Sequence, residues 1–350
     1  MVTPKVGVLS PGTYRAPPRN SSRTSDEFSF LVRYVRDVDF EERTAPHRQE
    51  LLTHCYRMLG SAIDAEDLVQ ETMMRAWRSY DRFDERKASM RTWLYRIATN
   101  ACLNALESRA RRPLPSGIGA PGTDPEEPLV HGHEVPWLQP LPTDPAMAAT
   151  ERGTLRLAFV AALQLLPARQ RAVLILRDVL DWSAAEVAAS LETSPAAVNS
   201  ALQRARARLA EENLDPDDLG EPSDPSARAL VDRYVAAFER ADLAALGALL
   251  TADVIMEMPP MVNWYTGRDL YLGFMKRVYT LNGTNWSHLR VEANGQPGFA
   301  AYLIPRTGGP AQFHTLQVLD VTPSGILRNT VTQDEEVFRL FNLPATLPVR

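Results

Sequence analysis

Apolar residues recur along most of the chain at spacings of three and four, and the phase of that recurrence marks out helices. Leu51, Leu52, Cys55, Tyr56 and Leu59 share one helical face, closed by Gly60. In DAEDLVQETMMRAWRSY, read as capped by Asp64, Val69, Met73, Ala76 and Tyr80 recur at four, three and four. The outer face of this helix carries Glu66, Asp67, Gln70, Glu71, Arg75 and Arg78. A polar loop, DRFDERKASM, leads into RTWLYRIATNACLNALESRARR, with Leu94, Ile97, Ala98, Ala101 and Ala105 on its buried side. Arg96, Asn100 and Asn104 form a stripe at i, i+4, i+8 on this helix, with Trp93 at its edge.

The punctuation of WSAAEVAASLETSPAAVNSALQRARARL fits a helix-turn-helix. Ser183 with Glu186 three positions on is a capping box, and Ser194 before Pro195 is a second start signal. Val198, Leu202, Ala205 and Leu209 form the buried face of the second helix. Its other side offers Asn199, Ser200, Gln203, Arg204, Arg206 and Arg208, types that fork onto guanine, pair with adenine or hold phosphates. A basic solvated helix in an ordinary bundle is the plainer reading. Glu192 sits in the turn, at a cost of about 1 kcal/mol if that residue is left-handed.

With 350 residues, 45% of them hydrophobic, the chain suits two or three packed domains. A formal net charge of -5 excludes a general polyanion binder, so nucleic-acid contact must come from local clusters such as Arg109, Arg111 and Arg112. Arg169 and Arg171, near the start of LPARQRAVLILRDVLDWS, suit a phosphate contact. Cys55 and Cys102 stand in apolar helical contexts as buried thiols. His131 and His133 lack further ligands at metal spacing, so no metal or cofactor is expected. The absence of a membrane-length apolar run or a secretory leader predicts a soluble, cytoplasmic protein with no membrane partner.

Met1 to about Asp26 reads as a disordered tail, followed by a short helix over Phe28–Val38. Pro113–Thr150 is rich in Pro and Gly and holds acids but no Lys or Arg, which predicts an extended, mobile linker. Within it, Trp137, Leu138 and Leu141 in VPWLQPLP invite docking onto a neighbour. After a second Pro- and Asp-rich linker, Ala227–Arg240 and a helix capped at Asp242 precede a strand near Val254–Met258. The stretch NWYTGRDLYLGFMKRVY supplies a turn and a helix. Four strand-like runs follow near 286–293, 298–304, 311–321 and 325–333, broken by NG, PG, TGG and PSG. Helices followed by a meander argue an α+β layer with a curved sheet.

DAEDLVQETMMRAW with RTWLYRIATN resembles conserved domain 2 of sigma-70-family initiation factors of the extracytoplasmic-function type. The helix-turn-helix with QRARARL resembles their domain 4. The element order after residue 227, with WYTGRD behind the first strand, resembles the SnoaL-like polyketide cyclases of the nuclear-transport-factor-2-like folds. The resemblance implies a multidomain chain: two all-α sigma domains, then an α+β cone-shaped domain. The expected bounds are a tail over 1–44, domain 2 over 45–112, a linker over 113–150 and domain 4 over 151–213. A linker over 214–226, the SnoaL-like domain over 227–343 and a tail over 344–350 complete the chain.

The implied partners are core RNA polymerase, through the clamp coiled coil of its largest subunit and the flap of the second-largest, and promoter DNA. The resemblance assigns Asp64, Asp67, Leu68, Gln70, Glu71 and Arg75 to polymerase docking. It assigns Lys87, Arg91, Trp93, Arg96, Asn100, Asn104, Arg109, Arg111 and Arg112 to the −10 region, with the loop Arg82–Met90 capturing a flipped base. Arg169, Arg171, Ser194, Asn199, Ser200, Gln203, Arg204 and Arg206 fall to the −35 element. Ala201 departs from the Arg of many relatives, which leaves the −35 sequence open. In the family the first linker threads the polymerase RNA channel, and a separate anti-sigma protein holds the factor; here the extra domain is expected to regulate in cis. Met256, Met258, Trp264, Tyr265, Phe274 and His314 are its candidate pocket residues for a small apolar ligand. Asp253, Glu257 and His314 are the candidate groups if the domain is instead a working cyclase or isomerase. A plain repressor using the helix-turn-helix alone is a further alternative.

Overall fold

The computed structural model describes residues 34, 36–107, 111–143, 155–211 and 225–348. Arg109 and the expected N-terminal tail up to residue 33 lie outside the described residues. Of the residues up to Pro46, which form a first unit, 36–44 are helical, so the short helix runs beyond Val38. His47 onward forms the second unit, which holds all the elements below.

Three helices build its first domain: α1 (Arg48–Leu59), α2 (Ala62–Ser79) and α3 (Met90–Glu107). Gly60, at φ 69°, ends α1 through its N–H on the Tyr56 carbonyl. The cap of α2 is Ser61, whose side chain accepts from the Asp64 amide, and not Asp64 as expected. Asp64 stands one turn inside, and its carboxylate is spent elsewhere. Leu51, Cys55, Val69, Leu94, Ala98 and Cys102 meet in the core.

The helix-turn-helix domain runs through α4 (Leu157–Leu163) and α5 (Ala168–Leu174), which continues as a π-turn over Ile175–Val179. Then come α6 (Ala184–Ser190) and α7 (Pro195–Ala210). Both start signals are used: the Ser183–Glu186 capping box closes reciprocally, and Ser194 Oγ accepts from the Ala197 amide with Pro195 at the first helical position. Glu192 takes up the left-handed turn position, at φ 52°.

The C-terminal domain begins with α8 (Pro225–Glu239) and α9 (Leu243–Leu249), followed by β1 (Leu250–Glu257), β2 (Trp264–Thr266) and α10 (Arg268–Asn282). Strands β3 (Trp286–Ala293), β4 (Gln296–Leu303), β5 (Ala311–Thr322) and β6 (Gly325–Thr332) form the meander. The sheet order is β2-β1-β6-β5-β4-β3, with β1 parallel to β6 and the other neighbours antiparallel. Helices α8 and α10 cover one face around Tyr234, Phe238, Phe274 and Phe299. A helix α11 (Glu335–Leu340) and a strand β7 (Thr346–Leu347) were not legible as elements; β7 pairs with β5 where a tail was expected. Phe338, Phe341 and Leu347 cover a second apolar cluster around Tyr302 and Leu316.

The first linker docks at Leu138 and Leu141, as VPWLQPLP suggested, and departs from expectation in how far the binding extends. Residues 113–143 are neither free nor wholly extended, but bound along their length to folded neighbours. Leu114, Leu138 and Leu141 are buried. Gly122 N–H donates to Trp264 O, Gly132 N–H to Pro260 O, and Thr143 N–H to Glu292 O, while the Val130 carbonyl accepts from Val262 N–H. The physical reason is that apolar and backbone groups of this Pro-rich strand find partners on the C-terminal domain. Composition cannot reveal those partners.

Candidate nucleic-acid interface

Helix α7 presents Asn199, Ser200, Gln203, Arg204 and Arg206 to solvent, because Val198, Leu202 and Ala205 turn the opposite face into the domain. Arg204 Nη1 donates to Ser200 Oγ at 2.6 Å, and Arg206 makes a two-pronged pair with Asp178 at 2.9 and 2.7 Å. Arg206 remains 61% exposed, so that pair can be exchanged for another anion. Arg169 is exposed as well.

Arg171 is not available for a phosphate, contrary to expectation. It is 4% exposed and donates to the Met58 carbonyl of α1, to Gln164 Oε1 at 2.6 Å and to Leu166 O at 3.1 Å. Desolvation pushes its pKa down to about 10, which still leaves it charged at neutral pH. Its placement follows from α5, whose inward face begins at this residue. Arg171 therefore ties the helix-turn-helix domain to the first domain.

On α3, Arg96 and Asn104 are exposed and Asn100 is half-buried. This stripe faces the helix-turn-helix domain: Arg96 Nη2 lies 3.4 Å from Glu192 Oε1. Asn100, Asn104, Arg169 and Glu192 line a cleft of about 500 Å³ between the two domains. Trp93 packs on Phe83, ring centroids 4.8 Å apart, so its face is partly occupied. Lys87 is largely exposed beside Asp84. Arg91 pairs with Glu50 at 2.7 Å and lies over the Tyr95 ring, and Arg111 donates to the Gly117 carbonyl. Arg112 is a second correction: it is inward, bonded to Asp64 at 2.6 Å and to the Trp137 carbonyl, and so pins the linker to α2.

Among the docking candidates on α2, Asp67 and Gln70 are exposed and Glu71 pairs with Arg75 at 2.5 Å. Leu68 is 7% exposed and belongs to the core, one hydrophobic position more than the pattern of Val69, Met73 and Ala76 had claimed. Helix α11 of the C-terminal domain packs beside α2.

Sequence reasoning missed the residue that joins these parts. Asn294 and Gly295 are the two left-handed residues (φ 57° and 67°) of the β3–β4 hairpin turn. A hairpin tip is ordinarily wet, yet Asn294 is 1% exposed. Its Nδ2 donates to the Tyr56 hydroxyl at 2.8 Å and to the Leu155 carbonyl at 2.7 Å, while its Oδ1 accepts from Leu141 N–H at 2.8 Å. One side chain thus bonds the first domain, the linker and the segment entering α4. The NG dipeptide signalled the turn; nothing in the pattern signalled its burial. Next to it, Gln296 Oε1 accepts from the Leu157 amide at 2.7 Å.

Between α8, α10 and the sheet lies a cavity of about 250 Å³, lined by Met256, Met258, Phe274 and His314 among others. His314, a pocket candidate from the sequence, does reach the cavity, though simple alternation along β5 would put it on one face with Leu316 and Val318. A register shift instead leaves it unpaired between Phe313 and Thr315, and this bulge puts it at the cavity with Thr315 and Gln317. Burial lowers its pKa, favouring the neutral ring. Trp264 does not line the cavity; its indole N–H donates to the linker carbonyl of Gly119 at 2.9 Å. Asp253 is exposed, and Glu257 is fully buried against Arg328 and the Ser116 amide, so neither is a free pocket acid. His131 and His133 stack with centroids 4.9 Å apart, and no metal-binding group of three or more His, Cys, Asp or Glu occurs among the described residues. Among them no helix is long and apolar enough to cross a membrane.

Residues 45–112 match the family model for Sigma-70 region 2, 156–209 that for Sigma-70, region 4, and 231–327 that for the SnoaL-like domain. The chain is 47% identical over 322 residues to the ECF RNA polymerase sigma factor SigG of Mycobacterium tuberculosis, covering 89% of this chain and 86% of that protein. It is 34% identical over 235 residues to SigJ of the same organism, covering 65% and 69% respectively. The crystal structure of M. tuberculosis SigJ superposes with a TM-score of 0.61 over 85% of this chain and 97% of that one, at 24% identity, a likeness of fold.

Proposed function

The chain belongs to the extracytoplasmic-function group of the sigma-70 family, and from that premise we propose that its C-terminal domain holds the two promoter-binding domains closed until core polymerase engages them. The carrying observation is the buried hairpin tip, where Asn294 bonds both sigma domains and their linker at once. In this arrangement α3 turns Arg96 and Asn100 toward the helix-turn-helix, across a cleft too small for a duplex. Helix α11 lies beside α2, the element read as docking on the polymerase clamp. Opening would release both surfaces together.

In the open form, Asp67, Gln70, Glu71 and Arg75 meet the basic partner, where complementary charge favours orientation and association rate. Arg96, Asn100, Asn104, Lys87, Arg111 and the Phe83–Trp93 pair read and hold the melted −10 strand, trading lost base stacking for aromatic and phosphate contacts. Arg169, Asn199, Ser200, Gln203, Arg204 and Arg206 engage the −35 duplex. The C-terminal domain is read as a binding module, since its cavity is walled mainly by methionine and aromatic side chains.

Multi-round transcription with core polymerase and a library of candidate promoters tests this reading, comparing the full chain with Asn294→Gly. Promoter-specific transcripts that increase in the variant support it. Failure of both chains to bind core overturns the sigma assignment, and equal output from both overturns regulation in cis.

A further inference from the structure

The cavity of the C-terminal domain is walled mainly by Met256, Met258, Met261, Phe238 and Phe274, soft and aromatic groups that adapt to a small apolar body. Its volume of about 250 Å³ lies just under the common range for small-molecule sites. One polar group of the lining is left without a partner. Asn329 is 1% exposed and lines the cavity; its amide donates to Tyr271 Oη at 2.9 Å and to Gln317 Oε1 at 2.8 Å, but its Oδ1 has no hydrogen-bond partner. An unpaired buried acceptor is costly, and a bound donor removes that cost.

The second feature is what closes the cavity. Leu129, from the segment between the two sigma domains, is part of its lining. Arg277 beside it donates to the linker carbonyls of Pro125 at 2.9 Å and Glu127 at 2.6 Å. Val130 N–H is held by Asn263 Oδ1 at 2.7 Å. The wall and the linker are thus one structure.

We propose that this cavity binds a small uncharged apolar molecule bearing one hydroxyl or N–H donor, and that the linker is its lid, so that occupancy strengthens the closed arrangement. The donor pairs with Asn329 Oδ1, and the apolar body packs between the methionines and Leu129. A ligand touching the lid favours the state in which the lid is down, by its differential affinity for that state. The regulatory consequence rests on the closed arrangement proposed above. The binding claim is tested without polymerase or DNA, so the two can fail separately.

The probe is β-naphthol, compared by calorimetry with its methyl ether, which cannot donate, on the full chain. The expected result is binding by β-naphthol, about tenfold weaker binding by the ether, and slower hydrogen exchange at the amides of Val130 and Gly132. Leu129→Ala, a linker change that leaves the domain core intact, is expected to weaken β-naphthol binding about fivefold and to abolish the added protection. No binding of either compound overturns the site. Equal binding of the two overturns the pairing with Asn329. Binding that leaves linker exchange unchanged or faster overturns the lid.

Discussion

Helices α3 and α7 each carry a polar face of Arg, Asn and small hydroxyl or amide residues, yet they stand in opposite circumstances. α7 shows its whole reading face to solvent, while α3 turns Arg96 and Asn100 toward the neighbouring domain. The difference comes from what lies beyond each helix. Among the described residues the outer face of α7 stays exposed, whereas α3 is packed against α5, which Arg171 anchors to the Met58 carbonyl. A polar helical face therefore says what a surface can bind, and the rest of the fold decides when it is available.

The largest effect is expected at Asn294. Asn294→Gly keeps the left-handed turn and removes three side-chain bonds across the junction, at roughly 1 kcal/mol each. Transcription by the full chain is then expected to rise on the order of tenfold, measured against the unaltered chain at equal core occupancy. The α3 surface should become accessible to footprinting while α7 changes little. A rise in exposure at both helices alike would erase the contrast between them.

The pair Arg169 and Arg171 separates availability from residue type. Arg171→Leu leaves carbonyls of Met58 and Leu166 unpaired and is expected to cost about 2–4 kcal/mol in thermal unfolding. Arg169→Ala should alter stability by less than about 0.5 kcal/mol while weakening binding of the holoenzyme to −35 duplex. The reverse assignment would restore Arg171 to the DNA surface.

Gly273 addresses the linker. A Cβ there would lie 2.7 Å from Pro125 Cγ, so Gly273→Ala must push the linker off α10, although alanine favours the helix by about 1 kcal/mol. Faster hydrogen exchange over 125–132, with the domain otherwise intact, is the expected outcome. Unchanged exchange would mean that the linker is not held by this approach.

The smallest effect belongs to Glu192, left-handed at φ 52° and paired with Arg96. Glu192→Gly removes the strain and should stabilise the helix-turn-helix by about 0.5–1 kcal/mol. Loss of an exposed ion pair offsets little of this. A net loss of stability would show that the pair with Arg96 is worth more than an exposed contact.

Local punctuation was legible where the cause is local. The Ser183–Glu186 box, the Ser194–Pro195 start, the Asp242 cap and the NG turn each depend on residues within a few positions. The strands of the meander were legible because alternation and turn residues are local too. Leu68, Arg112 and Arg171 were misread because an amphipathic pattern sets a face within a turn or so, and a long side chain near its border can be drawn inward by a distant carbonyl or carboxylate. The bulge that re-aims His314, and the burial of Asn294, depend on partners far along the chain. The linker was read as docking at VPWLQPLP and otherwise mobile, because composition reports the lack of regular structure, which does not prevent binding.

The central claim is that the free chain holds its two sigma domains closed and that polymerase opens them. Spin labels at Glu107→Cys on α3 and Ala185→Cys on α6, both exposed, measure this by pulsed dipolar spectroscopy; native Cys55 and Cys102 are buried. The account predicts one narrow, short distance in the free chain and a longer distribution with core polymerase. A broad, long distribution in the free chain, matching the polymerase-bound one, would contradict it.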